Sequence, residues 1–248
     1  MNLLPARVVL CGFALSVTAQ GAESKTSMWN GYDQVEFTFE NRAALLVRPK
    51  VAAEGKPWIW RTEFFGHEPQ ADIALLAAGW HVAYIKVSDM YGAPPAIEAM
   101  ATFHDHLARE YGLGTRAVLE GFSRGGLYAV NYAAAHPDHT AAIYVDAPVL
   151  DIRSWPGGKG KGPGSPQLWP QCLALYGLTE ETVKAFKGNP IDYATALAKA
   201  GIPVIAVCGD ADEAVPIEEN TKIFEDRYRA AGGTIEVILK PGGKHHPH

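Results

Sequence analysis

The stretch AVLEGFSRGGLYAVNYAAA, residues 117–135, joins an apolar run to a series of good helix formers through a short glycine-rich turn. Ser123 lies at the centre of this turn, between Gly121 and Gly125. Because glycine has no Cβ, a strand and a helix can approach each other closely on both sides of the serine. The helix N-terminus behind the turn favours negative charge. The pattern therefore predicts Ser123 as an exposed nucleophile and the backbone N–H of Arg124 as a donor to an oxyanion.

Short apolar runs alternate with helical patterns on both sides of this turn. Apolar and polar residues alternate at 35–39, and the polar turn 40–42 leads into the apolar run 43–47, which predicts a hairpin of half-buried strands. Further apolar runs predict six more strands, at residues 57–60, 81–87, 117–120, 141–145, 203–208 and 235–239. Helical patterns separate most of these runs. Such alternation indicates an α/β fold, in which a mainly parallel sheet carries helices on both faces, within a single domain of residues 30–248.

The composition is that of one globular domain large enough to bury a core. The chain has 248 residues, of which 48% are hydrophobic, and a formal net charge of −5. No basic block and no long apolar run follow the N-terminal segment, so we predict neither a nucleic-acid partner nor a membrane span. Residues 1–19 place Arg7 before the apolar run 8–17, which is typical of a signal peptide. We expect cleavage before Gln20, or else after Ala22, and a secreted or periplasmic protein.

One stretch interrupts the alternation of strands and helices. Residues 154–170 contain five glycines, four prolines and the two tryptophans Trp155 and Trp169. Two tryptophans in a solvated loop would expose much apolar surface. We therefore predict that an insertion of about residues 152–190 forms a short cap over the active site.

The Gly-x-Ser-x-Gly-Gly turn between a strand and a helix resembles the α/β-hydrolase superfamily, and it is closest to the esterase and prolyl-oligopeptidase-like branches. The resemblance covers about residues 35–248. It implies an α/β-hydrolase fold with an N-terminal antiparallel hairpin, an acyl-enzyme mechanism and no cofactor. It also implies that an acid and then a histidine follow the serine along the chain.

Two segments match the places where this superfamily carries its acid and its base. Residues 209–216 resemble the family's Gly-x-x-Asp-x-x-Val-Pro segment, which assigns the acid to Asp212, with Asp210 and Glu213 as alternatives. After the last predicted strand, His245 is the first histidine past a glycine turn and is the expected base, with His246 and then His248 as alternatives. In a serine hydrolase the base takes the serine proton and the acid orients the base.

The second oxyanion donor is expected on the loop after the strand 57–60. The position in that loop favours the backbone N–H of Glu63, and Thr62 and Phe64 are its alternatives. Aromatic residues on neighbouring loops predict a pocket that suits a sugar face or an aromatic acyl group. The residues predicted to line it are Phe64, Tyr91, Trp155 and Trp169.

The remaining histidines and cysteines predict no metal site. The histidines near the C-terminus have no carboxylate or cysteine beside them at ligand spacing. His104 and His106 are predicted on the solvated face of a helix. Cys172 and Cys208 are predicted as two separate buried thiols.

Together these features favour a secreted serine carboxylesterase whose substrate is a small-molecule or glycan ester, such as an acetyl or feruloyl ester of a polysaccharide. A peptidase of the prolyl-oligopeptidase type is the first alternative because its motifs look the same. The second alternative is an inactive hydrolase fold that serves as a binding protein.

Overall fold

The computed structural model describes residues 24–245, and within them the chain forms a nine-stranded sheet in the order β1-β2-β3-β5-β4-β6-β7-β8-β9. The strands are β1 (Lys25–Trp29), β2 (Tyr32–Phe39), β3 (Arg42–Arg48), β4 (Trp58–Arg61), β5 (His81–Ile85), β6 (Ala117–Phe122), β7 (Thr140–Asp146), β8 (Val204–Gly209) and β9 (Ile235–Lys240). The helices are α1 (Gln70–Ala77), α2 (Pro94–His106), α3 (Gly125–Ala135), α4 (Trp169–Leu175), α5 (Pro190–Lys199) and α6 (Thr221–Ala230). The predicted signal peptide, residues 1–19, lies outside the described residues.

The first part of the sheet is antiparallel and the rest is parallel. β1, β2, β3 and β5 pair antiparallel in that order. β5 is parallel to its other neighbour, β4, and β4, β6, β7, β8 and β9 then pair parallel in that order. The turns Asn30-Gly31 and Glu40-Asn41 each place two residues at positive φ, which suits two-residue hairpin loops. The predicted hairpin is thus confirmed. The sequence prediction missed β1 because this edge strand is mostly exposed and lacks an apolar alternation.

Helices cover both faces of the sheet, as predicted. The larger core lies between the sheet and helices α2, α3, α5 and α6. On this face Trp60 of β4 packs edge-on against Tyr132 of α3, with ring centroids 5.1 Å apart. On the opposite face, Leu76 of α1 packs with Val47, Ile59 and Val82. The helices within residues 24–245 include none of the length and apolarity that crossing a bilayer requires.

The loops that follow the parallel strands meet at one edge of the sheet. β6, β8 and β9 end at Phe122, Gly209 and Lys240, and these three ends lie on neighbouring parts of the sheet. Ligands of open α/β sheets bind beyond the carboxyl ends of the strands. The chain therefore brings the predicted nucleophile, acid and base to the edge where a substrate can reach them.

Candidate active site

Ser123 lies on a sharp turn between β6 and α3. Its φ is 49°, a strained value for a residue with a side chain. A Cβ on Gly121 would lie 2.7 Å from the Gly125 oxygen, and a Cβ on Gly126 would lie 2.7 Å from the Pro148 Cβ. Glycine at these two positions therefore allows the close approach that the turn requires. The Ser123 backbone N–H donates to the backbone carbonyl oxygen of Asp146 at 2.8 Å, which fixes the turn to the neighbouring strand.

The structure brings Ser123, His245 and Asp212 into one chain of hydrogen bonds. Ser123 Oγ lies 2.9 Å from His245 Nε2, and His245 Nδ1 lies 2.8 Å from Asp212 Oδ2. The other Asp212 oxygen accepts the backbone N–H groups of Ala214 and Val215, both at 2.9 Å. Because Asp212 accepts a hydrogen bond from Nδ1–H, the proton of the neutral ring stays on Nδ1, and Nε2 keeps the lone pair that can receive the serine proton.

Asp210, the alternative acid, has a different position. Its Oδ1 accepts the Gly242 backbone N–H at 2.6 Å, and Ala211 N–H donates to the Gly243 oxygen at 2.9 Å. These bonds join the loop after β8 to the loop after β9, which carries His245. Asp210 thus contacts the main chain before the histidine and not its ring. His246 and His248, the alternative bases, lie outside the described residues.

The loop after β4 is attached to the first turn of α3. The Thr62 hydroxyl lies within donating distance of the backbone carbonyl oxygens of Glu120 and Gly125, at 2.9 and 3.0 Å. Glu63 is buried, and its carboxylate accepts hydrogen bonds from Arg124 and Ser88. This arrangement puts the main chain of Glu63 beside the turn that carries Ser123. The roles of the Glu63 and Arg124 N–H groups as oxyanion donors stay predictions.

A cavity of about 450 Å³ opens at the Ser123 hydroxyl. Its described lining is mostly aromatic and consists of Phe64, Phe65, His67, Phe122, Ser123, Asp146 and His245. Of the four residues predicted for the pocket, Phe64 is the one in this lining. The prediction missed His67, Phe122 and Asp146, although Phe122 and Asp146 end strands β6 and β7, and a strand's carboxyl end is where the fold places its site.

Tyr91, Trp155 and Trp169 do not line this cavity, and the prediction for them was wrong. Tyr91 is fully buried, and its hydroxyl donates to Gln171 Oε1 at 3.1 Å. Trp169 is also buried, and its Nε1–H donates to Glu180 Oε1 at 2.6 Å. Trp155 packs against Tyr91, with ring centroids 6.2 Å apart. Tyr91 and Trp169 thus pack within the protein, and Trp155 is half-buried beside Tyr91.

The predicted cap, residues 152–190, contributes no residue to the described lining of the Ser123 cavity. The insertion packs against the larger hydrophobic core instead, to which α4 contributes buried residues. Tyr176 donates its hydroxyl to the Tyr91 oxygen at 2.8 Å, and Ser154 donates to Glu219 Oε2 at 2.7 Å. The insertion is therefore held to the rest of the domain by its core residues and by these hydrogen bonds.

A sealed charge cluster lies behind the cavity wall. Arg61 Nη1 contacts Asp72 Oδ2 at 2.5 Å and Glu120 Oε1 at 3.2 Å, and all three side chains are fully buried. The second Arg61 nitrogen donates to the His67 oxygen, and the guanidinium lies 4.2 Å from the centre of the Phe122 ring. Burial raises the pKa of the Glu120 carboxyl well above its usual range, and the Asp72 charge raises it further. The cluster supports two residues of the cavity wall.

A second group of polar side chains lies at the end of α2. His104 is buried, contrary to the prediction of a solvated face. Burial is tolerated because its Nε2 donates to the backbone carbonyl oxygen of Thr115 at 2.9 Å. Its Nδ1 lies 3.2 Å from Asp105 Oδ1, and its ring stacks on His139 with centroids 4.0 Å apart and planes within 6°. The lone pairs of ring nitrogens lie in the ring planes. Two rings stacked face to face cannot aim them at one ion, so this group is a structural stack as it stands.

The two described cysteines are free and buried, as predicted. Burial raises the pKa of the Cys172 thiol to about 12 and that of the Cys208 thiol to about 11. A thiolate is the reactive form of cysteine. Both residues therefore stay protonated near neutral pH and are poor nucleophiles.

Comparison with known proteins agrees with this geometry. Residues 87–247 match the model of the prolyl oligopeptidase family. No curated protein matches the sequence significantly. Among solved structures, an S-formylglutathione hydrolase from Agrobacterium tumefaciens superposes with a TM-score of 0.66 at 13% identity, over 89% of this chain and 91% of that one. Est1E from Butyrivibrio proteoclasticus superposes with a TM-score of 0.57 at 20% identity, over 91% of each chain.

A Mycobacterium tuberculosis puromycin-hydrolyzing peptidase superposes with a TM-score of 0.63 at 14% identity. The match covers 90% of this chain but 36% of the peptidase, so this chain spans about a third of that protein. Identities this low show a shared fold and nothing finer. The family match covers more than half of the chain, and the chain therefore belongs to the prolyl oligopeptidase family of serine hydrolases with the α/β-hydrolase fold.

Proposed function

We propose that this protein hydrolyses carboxylic esters through an acyl-enzyme, with Ser123 as nucleophile, His245 as general base and Asp212 as the residue that orients the base. The observation that carries the proposal is the hydrogen-bonded chain from Ser123 Oγ through His245 to Asp212, with spacings of 2.9 and 2.8 Å. A serine hydroxyl is a weak nucleophile until a base within hydrogen-bond distance removes its proton.

In the acylation step, Ser123 Oγ bonds to the ester carbonyl carbon while its proton moves to His245 Nε2. The carbonyl oxygen becomes negative, and the N–H groups of Arg124 and Glu63 stabilise it in this proposal. When the intermediate collapses, the bond to the alcohol breaks and the imidazolium returns the proton to the alcohol. The imidazolium is stabilised meanwhile by the Asp212 carboxylate.

Deacylation repeats the sequence with water. The water loses a proton to His245 Nε2 and bonds to the acyl carbon, and the bond to Ser123 Oγ breaks. The His245 imidazolium then returns its proton to Ser123 Oγ, which restores the serine hydroxyl, and the acid is released. No cofactor takes part in either step of the proposal.

The cavity favours a flat or aromatic substrate group next to the ester. Phe64, Phe65 and Phe122 form much of its described wall, and rings of this kind pack well on sugar faces and on aromatic acyl groups. We therefore propose acetyl or feruloyl esters of polysaccharides as the substrate class. Asp146, an acidic residue of the described wall, is 1% exposed, which offers little surface to the ammonium of a peptide. An exopeptidase needs a charged anchor for the terminus of its peptide, so this covered carboxylate supports an esterase over an exopeptidase.

A substrate panel tests the proposal. Purified protein should release product from p-nitrophenyl acetate and from acetylated or feruloylated glycans, and it should leave dipeptidyl p-nitroanilides intact. Cleavage of the anilides at a rate equal to or above that of the esters would make the protein a peptidase.

We also propose export, since Arg7 and the apolar run 8–17 are typical of a signal peptide. Protein recovered from its native host should begin at Gln20 or Glu23 in mass spectrometry. Recovery of intact Met1 from the cytoplasm would contradict export.

A further inference from the structure

The Glu63 carboxylate links three loops around the candidate active site. Glu63 follows β4 by two residues and is 1% exposed. Its Oε2 accepts Arg124 Nε at 2.7 Å, and its Oε1 accepts Ser88 Oγ at 2.7 Å. Arg124 directly follows Ser123, and Ser88 lies on the loop after β5. The sequence prediction assigned Glu63 a role through its backbone alone, so its side chain is unexplained by the proposed mechanism.

The bond between Glu63 and Arg124 is of a strong kind. Both groups are charged, and the pair is largely shielded because the Arg124 side chain is 16% exposed and that of Glu63 is 1% exposed. Charge-assisted hydrogen bonds are short and about twice as strong as neutral ones. Arg124 also contacts Asp89 at 2.9 Å, but that carboxylate is 58% exposed. Exposed ion pairs contribute little, so Asp89 serves as the matched control.

The main chain of Glu63 lies close to the turn that holds the nucleophile. Thr62 Oγ1 donates to the Gly125 oxygen at 3.0 Å, and a Cβ on Gly125 would lie 3.8 Å from the Glu63 nitrogen. The neighbouring residue, Phe64, has a φ of 53° and lies in the cavity wall. A backbone with this strained value needs its surroundings to hold it. The Glu63 side chain is one such restraint, since it attaches the loop to Arg124 and Ser88.

We propose that the Glu63 carboxylate is a positioning group that holds the loop after β4 against the nucleophile turn, so that the backbone N–H groups of Glu63 and Arg124 face one oxygen of the reacting ester. The inference rests on the proposed function. Donors to an oxyanion act on charge that develops in the transition state. Displacing one of them lowers kcat and leaves KM nearly unchanged.

The test compares Glu63→Ala, Glu63→Gln and Asp89→Asn with p-nitrophenyl acetate as substrate. Loss of a whole oxyanion donor costs about 10²–10³-fold in kcat, so a displaced donor in Glu63→Ala should cost about 10- to 100-fold. Glu63→Gln keeps an oxygen that can accept from Arg124 and should recover most of the activity. Asp89→Asn should stay within about twofold of the wild type, because exposed pairs contribute little.

A second readout separates this inference from the choice of substrate. A fluorophosphonate probe forms a tetrahedral adduct on an active serine, and its oxygen uses the same donors. Its rate of labelling should fall in Glu63→Ala by a factor similar to that of kcat. If the wild type is labelled but hydrolyses no ester, the ester substrate is rejected. The labelling rates of Glu63→Ala and the wild type then decide the positioning role on their own. A wild type that is not labelled would reject both.

Unfolding of Glu63→Ala is checked by circular dichroism, and Arg124→Met provides a second way to remove the bond from a more exposed position. Glu63→Gln and Arg124→Met decide the matter if Glu63→Ala does not fold. Equal kcat in Arg124→Met and the wild type, or a rise in KM without a fall in kcat, would overturn the positioning role.

Discussion

Two polar clusters lie on opposite sides of the cavity wall. Each contains a carboxylate and a basic group, but one is open to the cavity and the other is buried behind it. Ser123, His245 and Asp212 occupy loops beyond the strands, and the His245 side chain keeps 21% of its surface exposed. Arg61 and Glu120 belong to strands β4 and β6, and together with Asp72 they are completely buried. Both clusters place a carboxylate against a basic group. The first cluster holds a nucleophile and is open to substrate, so we expect it to be reactive, whereas the second has neither property and can only support the fold.

The largest effect is expected from Ser123→Ala. Removing the nucleophile of such a triad costs about 10⁶-fold in turnover. The fold should be unchanged, because alanine is smaller than serine and tolerates the same turn. Steady-state hydrolysis of p-nitrophenyl acetate measures the effect, and Ser27→Ala on the edge strand β1 is the matched control. Activity of Ser123→Ala comparable to that of Ser27→Ala would assign the chemistry to another residue.

Asp212→Asn comes next, with a loss on the order of 10⁴-fold in kcat, because the amide holds the histidine in the wrong tautomer. Asp210→Asn is its matched control. An asparagine at 210 can still accept the Gly242 N–H through its amide oxygen, so most activity should remain. If Asp210→Asn were the inactive variant of the two, the acid would have to be reassigned.

Much of the fold and the nucleophile turn could be predicted because their signals are local, whereas Asp212 and His245 were assigned from the resemblance to a known superfamily. The turn around Ser123 combines a strand, glycines and a helix within twenty residues, and two-residue loops mark the hairpins. The wall of the cavity was harder. The burial of Tyr91 and Trp169 depends on partners such as Gln171 and Glu180, which no local pattern identifies.

The sealed cluster had a signal that the sequence prediction did not use. Arg61 and Glu120 are single charged residues in the otherwise apolar strands Trp58–Arg61 and Ala117–Phe122. A charge in a strand that is covered on both faces needs an opposite charge nearby. Two such residues on neighbouring parallel strands therefore indicate an ion pair.

Arg61→Met tests the supporting role of the sealed cluster. Removal of the cation leaves Asp72 and Glu120 buried without their partner, and breaking a buried pair in this way costs about 3–5 kcal/mol of the free energy of unfolding. Urea unfolding followed by fluorescence measures it. Arg109→Met, which removes one side of an exposed pair with Glu110, should change the free energy of unfolding by less than about 1 kcal/mol. Equal stability of the two variants would show that the buried cluster does not support the fold.

The smallest effect concerns the pH dependence of Glu120→Gln. Since the folded state raises the Glu120 pKa, the folded protein binds more protons than the unfolded chain between the ordinary pKa of 4.5 and the raised value. This carboxyl therefore lowers the stability of the wild type as pH rises through that window. Glutamine keeps the shape and does not titrate.

The variant should therefore gain stability relative to the wild type as pH rises. Its free energy of unfolding minus that of the wild type should be larger at pH 7 than at pH 4.5. Urea unfolding at the two pH values measures the difference. If the free energy of unfolding of the wild type rose relative to that of the variant with increasing pH, Glu120 would be ionised in the folded protein.

The central claim is that the cluster on the loops is reactive, and covalent labelling tests it most directly. Wild-type protein is treated with a fluorophosphonate at pH 7.5, and the modified peptide is identified by mass spectrometry. We predict one adduct per chain, on Ser123, with none on the Ser123→Ala variant and slow labelling of Asp212→Asn. An adduct on another residue, or a folded wild-type protein that is not modified, would contradict the account.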